Sequence, residues 1–156
     1  MSSPSLARVT SALTALGAAG SPTMLPDSAR TAAEAAAALG CDVGAIANSL
    51  VFAAGDNPVL VLTSGAHRVD TALVARHLGV ERLERASPDF VREHTGQAIG
   101  GVAPIGHPTP LPTYVDRWLE RHDVVWAAAG HPHAVFPTSY DELLRLTGGE
   151  PVDVES

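Results

Sequence analysis

Three short stretches of this chain carry residue types that could do chemistry. In Ile99-Gly-Gly-Val-Ala-Pro-Ile-Gly-His-Pro108, a glycine pair precedes a proline-stiffened turn. Such a turn lets backbone N–H groups approach a ligand with no side chain in the way. Donors of that kind suit the carbonyl of an acyl ester, whose hydrolysis builds an oxyanion that fixed N–H groups stabilise. As a plain sheet-corner turn the same glycines would need no ligand. In Ile46-Ala-Asn-Ser-Leu-Val-Phe52, Asn48 can both donate and accept hydrogen bonds but carries no charge. In Ala129-Gly-His-Pro-His-Ala-Val-Phe136, His131 and His133 follow a strand end at Gly130. Imidazole titrates near neutrality and suits a general base. With His107 the two rings make a formal metal-ligand set, although a metal hydrolase would also want a carboxylate or a further histidine at close range.

Other chemistries find less support. No Ser, His and Asp are spaced as a recognisable nucleophilic triad, and the phosphate loop of the Gly-x-x-x-x-Gly-Lys type needs a lysine, which this chain lacks entirely. Cys41 is the single cysteine, so no internal disulfide can form, and it reads as a small apolar residue at a helix end. Asp70 reads as a helix cap, and Trp118 and Trp126 as packing residues, with only Arg117 and Arg121 near the first of them.

The elements that must position these residues are legible in outline. Leu6, Val9, Leu13 and Leu16 give a helical stripe that Gly17 ends, Pro22 to Pro26 is an extended piece, and Thr31-Ala-Ala-Glu34 caps a second helix running to Leu39-Gly40. Ser49 to Ala54 and Pro58 to Thr63 read as two strands of a hairpin turned by Gly55-Asp56-Asn57, apolar enough to be buried on both faces. Asp70 opens a helix from Thr71 to Leu78, and Ser87-Pro88 opens another that reaches about His94. Thr113 to Asp116, Val124 to Ala129 and Ala134 to Pro137 read as strands, with a tight helical turn over Arg117 to His122. Ser139-Tyr-Asp-Glu142 caps a last helix that ends at Gly148-Gly149, leaving residues 151–156 as a polar tail or edge strand. The fold class expected is α+β, in one domain over residues 1–156, with no internal repeat.

Composition narrows the partners. The chain has 156 residues, 46% of them hydrophobic but only 4% aromatic, so small aliphatic side chains must fill the core. Its longest apolar runs are too short to span a bilayer and no signal segment opens it, so a cytoplasmic protein without membrane contact is expected. A formal net charge of −7, with all ten basic residues arginine, makes it a poor candidate for broad DNA or RNA binding. A nucleic-acid substrate would be held firmly only at one end.

The glycine turn, the Asn48 strand and the Ala129-Gly130 strand end, together with the Ser64-Gly-Ala-His-Arg-Val-Asp70 turn, occur in an order that resembles the YbaK / prolyl-tRNA synthetase-associated domain family over nearly the whole chain. The resemblance implies a mixed, curled β-sheet or barrel surrounded by helices. It implies a freestanding trans-editing deacylase that hydrolyses the ester of a mischarged tRNA carrying a small amino acid. The partners it implies are the tRNA acceptor end and an aminoacyl-tRNA synthetase, with no cofactor and no metal. On this reading Gly100 and Gly101 hold the ester carbonyl, with Val102 and Pro104 completing the loop. Thr63 and Ser64 line the cleft, and Gly130, His131 and His133 border the side-chain pocket. Asn48 stands where that family usually carries a lysine, and Arg68 is the nearest basic residue in the pattern. A non-catalytic member that binds aminoacyl-tRNA, an amino acid or a synthetase is the alternative that this substitution keeps open.

Overall fold

The computed structural model describes residues 4–26, 31–97 and 101–155. Five α-helices, Pro4–Ala15 (α1), Ala32–Leu39 (α2), Thr71–Leu78 (α3), Pro88–Thr95 (α4) and Tyr140–Thr147 (α5), pack around one mixed sheet. Its strands are Thr23–Met24 (β1), Ile46–Ala54 (β2), Asn57–Ser64 (β3), Glu84–Arg85 (β4), Thr113–Asp116 (β5), Val125–Ala128 (β6), Ala134–Thr138 (β7) and Glu150–Val152 (β8). They lie in the order β1-β7-β6-β2-β3-β5-β8, with β4 added beside β2. The sheet has two ends and does not close, which decides the expected choice between curled sheet and barrel in favour of the sheet.

The helix starts follow from side-chain caps. Thr31, Asp70, Ser87 and Ser139 each accept the backbone N–H three residues on, satisfying a donor that the first turn leaves free. Gly40, Gly79, Gly96 and Gly148 end their helices in the left-handed region, where a side chain would strain the backbone.

The hairpin β2–β3 is the spine. Val59, Leu60, Val61 and Leu62 are all buried, because the strand is covered on both faces. Leu60 and Leu62 join Ala47 and Val51 in the larger core beneath α1 and α5, while Val59 and Val61 pack with Phe52 and Val74 on the α3 side. The strand read from Ser49 onward begins three residues earlier, at Ile46, after a short 3-10 turn at Val43–Ala45. Of the two readings of the last residues, polar tail or edge strand, the structure shows the strand: β8 lies at the sheet's end along β5, and Val152 and Val154 are both buried. No helix among the described residues is long and apolar enough to cross a membrane.

Candidate functional site

β2 has two partners on the side away from β3, and they do not meet. It pairs with β6 only through Ile46 and Ala47, and with β4 only through Phe52 and Ala53. The Ile46 carbonyl accepts the Gly65 N–H on the β3 side, whereas the Val51 carbonyl accepts the Ala86 N–H on the β4 side. Peptide direction alternates along a strand, so the Ser49 peptide points into the opening between β6 and β4. A cavity of about 440 Å³ occupies this opening, lined by Asn48, Ser49, Val51, Val91, Val102, Trp126 and Pro132 among others. Arg85, from β4, is the one charged side chain in its wall among the described residues.

Structure brings the second and third chemical stretches to the first. A Cβ built on Gly101 would lie 2.7 Å from both the His131 carbonyl carbon and the Pro132 nitrogen. Only a glycine lets the two backbones touch there, so the glycine turn and the His131-Pro132-His133 turn form one wall, whose Val102 and Pro132 face the cavity. Gly100 lies outside the described residues.

The rest of the glycine turn is fixed by two side chains. Gln97, the only glutamine in the chain, is buried; its Oε1 accepts the Ala103 N–H at 2.7 Å and its Nε2 donates to the Ile105 carbonyl at 3.4 Å. His107 Nε2 donates to the Ala103 carbonyl at 2.8 Å. Burial pulls the His107 pKa below the usual imidazole range, with that hydrogen bond opposing in part, so the ring is held neutral. With the Ala103 N–H taken by Gln97, the Gly101 and Val102 N–H groups, like those of Ile105, Gly106 and His107, have no acceptor among the described residues. Replacing Gln97 with Leu leaves a buried N–H and a buried carbonyl unpaired. We expect a loss of about 2 kcal/mol, read as a fall of roughly 4–8 °C in thermal midpoint.

Other residues singled out from sequence lie elsewhere. Thr63 sits opposite Asn48 in the β2–β3 register, but its hydroxyl is 3.5 Å from the Asp116 carboxylate and does not line the cavity. The Ser64 hydroxyl donates to the Gly44 carbonyl at 2.7 Å, and its N–H donates to Asp116 at 2.9 Å. Both residues are buried, spent on holding the end of β3. The Arg68 backbone N–H donates to the Glu155 carboxylate at 2.6 Å, on that same side of the molecule, and Arg68 is absent from the cavity wall. Pro104 is buried within the turn. Gly130 has φ +92°, and a Cβ there would meet the Ser5 carbonyl and Val9 at 2.9 Å, so it seats α1.

The histidines divide their roles. His131 Nδ1 accepts the His133 N–H at 3.1 Å, which in the neutral ring leaves the proton on Nε2. His133 Nδ1 is out of solvent with no partner among the described residues, and the two ring centroids are 5.8 Å apart. Pro132 between them reaches the cavity wall. Among the described residues no three His, Cys, Asp or Glu side chains converge as a metal site, and the His107 ring is engaged in the turn. The Cys41 thiol is pushed up first by burial and then by Asp42, the opposite of an activated nucleophile.

Sequence reading missed Arg85, Gln97 and Ser49. A lone glutamine just ahead of a glycine turn was a usable signal for Gln97. Nothing in the sequence marks Arg85, because β4 is two residues long and its place beside β2 is set by tertiary packing.

Comparison with known proteins identifies the family and the fold. The family model described as the aminoacyl-tRNA editing domain matches residues 26–146. A solved structure, described as a candidate trans-editing enzyme for prolyl tRNA synthetase, is 46% identical with a TM-score of 0.94, covering 100% of this chain and 99% of that one. The proline–tRNA ligase of Streptococcus sanguinis is 32% identical over 122 residues, which are 78% of this chain but only 18% of the ligase. EbsC of Enterococcus faecalis, described as a candidate Cys-tRNA(Pro)/Cys-tRNA(Cys) deacylase, is 25% identical over 125 residues, 80% of this chain and 76% of EbsC.

Proposed function

Because this chain belongs to the aminoacyl-tRNA editing domain family, we propose that it is a trans-editing deacylase that removes a small amino acid from a mischarged tRNA. The observation that carries the reading is the wall in which Val102, next to Gly101, lines the same cavity as Asn48, with neither the Gly101 nor the Val102 N–H finding an acceptor among the described residues. The ester carbonyl accepts from these N–H groups. Water attacks the carbonyl carbon, the oxyanion is held by the same donors, and the bond to the ribose oxygen breaks as that oxygen takes a proton. Asn48 orients the carbonyl or a ribose hydroxyl, and the neighbouring hydroxyl of the substrate helps activate the water. Catalysis is then positioning and electrostatics, with no covalent intermediate on the protein.

With a net charge of −7, this protein relies on local cations to hold a polyanion. Arg85 at the cavity wall supports a contact with a phosphate near the tRNA 3′ end. Replacing Arg85 with Ala should raise KM about fivefold to tenfold, leave kcat within twofold, and flatten the log–log salt dependence of binding by about 0.7. An unchanged KM and slope would remove Arg85 from the interface.

The uncharged Asn48 favours a second reading, a non-catalytic module that binds aminoacyl-tRNA, an amino acid or a synthetase. The experiment that tests between them compares Asn48→Ala and Asn48→Lys with the native chain in single-turnover deacylation. For an enzyme, the alanine variant loses about tenfold, the scale of one hydrogen bond, and the lysine variant changes the native rate only modestly. A silent native protein that gains turnover with lysine would establish the binding module instead.

A further inference from the structure

The Ser49 hydroxyl is out of solvent and has no hydrogen-bond partner among the described residues. It belongs to the same cavity wall as Asn48 but to the opposite face of β2. Ser49 lies between Ala47 and Val51, both in the larger core, and opposite the fully buried Leu62 on β3. Side chains alternate along a strand, so Asn48 and Ser49 address the cavity from two sides of its edge. On the Ser49 side the cavity wall is otherwise aliphatic, with Val51, Val91 and Val102.

A valine or alanine would suit such a position at no polar cost. A hydroxyl without a partner there is destabilising unless something entering the cavity bonds it. Its peptide also points into the opening left between β6 and β4, which adds a backbone donor and acceptor beside the hydroxyl. One small polar atom would therefore find partners in the Ser49 hydroxyl and peptide on a side of the cavity where the neighbouring side chains, Val51, Val91 and Val102, are aliphatic. We propose that Ser49 is a specificity-determining residue that reads the side chain of the aminoacyl group, and that the preferred substrate class carries a hydroxyl on Cβ, as a seryl ester does. This inference rests on the deacylase reading for its substrate but concerns binding, so it can be tested apart from hydrolysis.

An alanyl group in the same pocket would leave the hydroxyl unpaired, whereas a seryl group would pair with it. The discrimination expected from one neutral hydrogen bond is about tenfold. Volume alone would not give this preference, because an aliphatic pocket rejects an added hydroxyl poorly.

The test uses two non-hydrolysable probes, adenosine bearing L-serine or L-alanine through a 3′-amide, titrated calorimetrically into the full chain. The native protein should bind the seryl probe about tenfold more tightly than the alanyl probe. Ser49→Ala should bind the two within twofold of each other, and Ser49→Thr, which keeps the hydroxyl, should restore the preference. Equal affinities in the native chain, a preference that survives in Ser49→Ala, or no binding of either probe would overturn the proposal. A preference that follows the hydroxyl in a protein that hydrolyses no charged tRNA would uphold it while ending the deacylase reading.

Discussion

Replacing Gly101 with Ala should lower kcat for aminoacyl ester hydrolysis by about 100-fold or more, the scale of losing one oxyanion donor. The added Cβ would lie 2.7 Å from the His131 carbonyl carbon and the Pro132 nitrogen, and both are backbone, so neither can swing aside as a flexible side chain would. The glycine turn must then part from the histidine turn, carrying the Gly101 and Val102 N–H groups away from the carbonyl they are to hold. Gln97 and His107 pin Ala103 from the other side, so the displacement concentrates in the residues that matter for the ester. Overpacking of this kind costs about 1–3 kcal/mol of stability, which leaves the variant folded at ordinary assay temperature. Single-turnover kinetics beside a thermal melt separates the two effects. A folded Gly101→Ala or Gly101→Val variant with the native rate would remove this turn from catalysis.

Asp116→Ala should destabilise the fold by about 3 kcal/mol, or a fall of roughly 6–12 °C in thermal midpoint. The carboxylate is buried at the end of β5 and accepts from the Ser64 N–H at 2.9 Å and the Trp118 N–H at 3.0 Å. His67 Nδ1 lies 2.8 Å away, and the Trp118 ring beneath Arg121 covers the cluster. Removing the carboxylate leaves two peptide N–H groups without an acceptor and unties β3, β5 and the 3-10 turn Arg117–Arg121 from one another. Asp116→Asn keeps one acceptor oxygen and should lose less. Because this cluster shares no residue with the cavity wall, deacylation by Asp116→Asn below its melting temperature should stay within about twofold of native, the range expected for independent sites. A midpoint for Asp116→Ala within 1 °C of native would show that water replaces the carboxylate without penalty.

The contrast between these two sites shows what the sequence makes legible. Helix starts at Thr31, Asp70, Ser87 and Ser139 were readable because a cap is a local bond between residues three apart. The hairpin was readable from near-continuous apolar, strand-forming runs on either side of Gly55. Ile46 to Asn48 escaped the strand reading because Ala and Asn are poor strand formers, and the pairing of Ile46 and Ala47 with β6 overrides that preference. Thr63 and Ser64 were read as lining the cleft and Arg68 as the nearest basic residue in the pattern, but the end of β3 turns toward Asp116, a residue more than fifty positions away from Thr63 and Ser64. Gly101 was legible as a glycine that something must approach. That the approaching group includes the His131-Pro132 backbone emerges only from the packing. Ser49 and Arg85 were silent because what sets them apart is what the described residues lack, a partner for one hydroxyl and a second charged side chain in one wall.

The measurement that bears most directly on the function is deacylation by the native chain of tRNA(Pro) charged separately with Ala, Ser, Thr, Cys and Pro. One or two of the small esters should disappear well ahead of their spontaneous hydrolysis while the prolyl ester persists. If every ester decays only at its spontaneous rate, the chain is not a deacylase of these substrates, and the Asn48 cavity holds its ligand without breaking it.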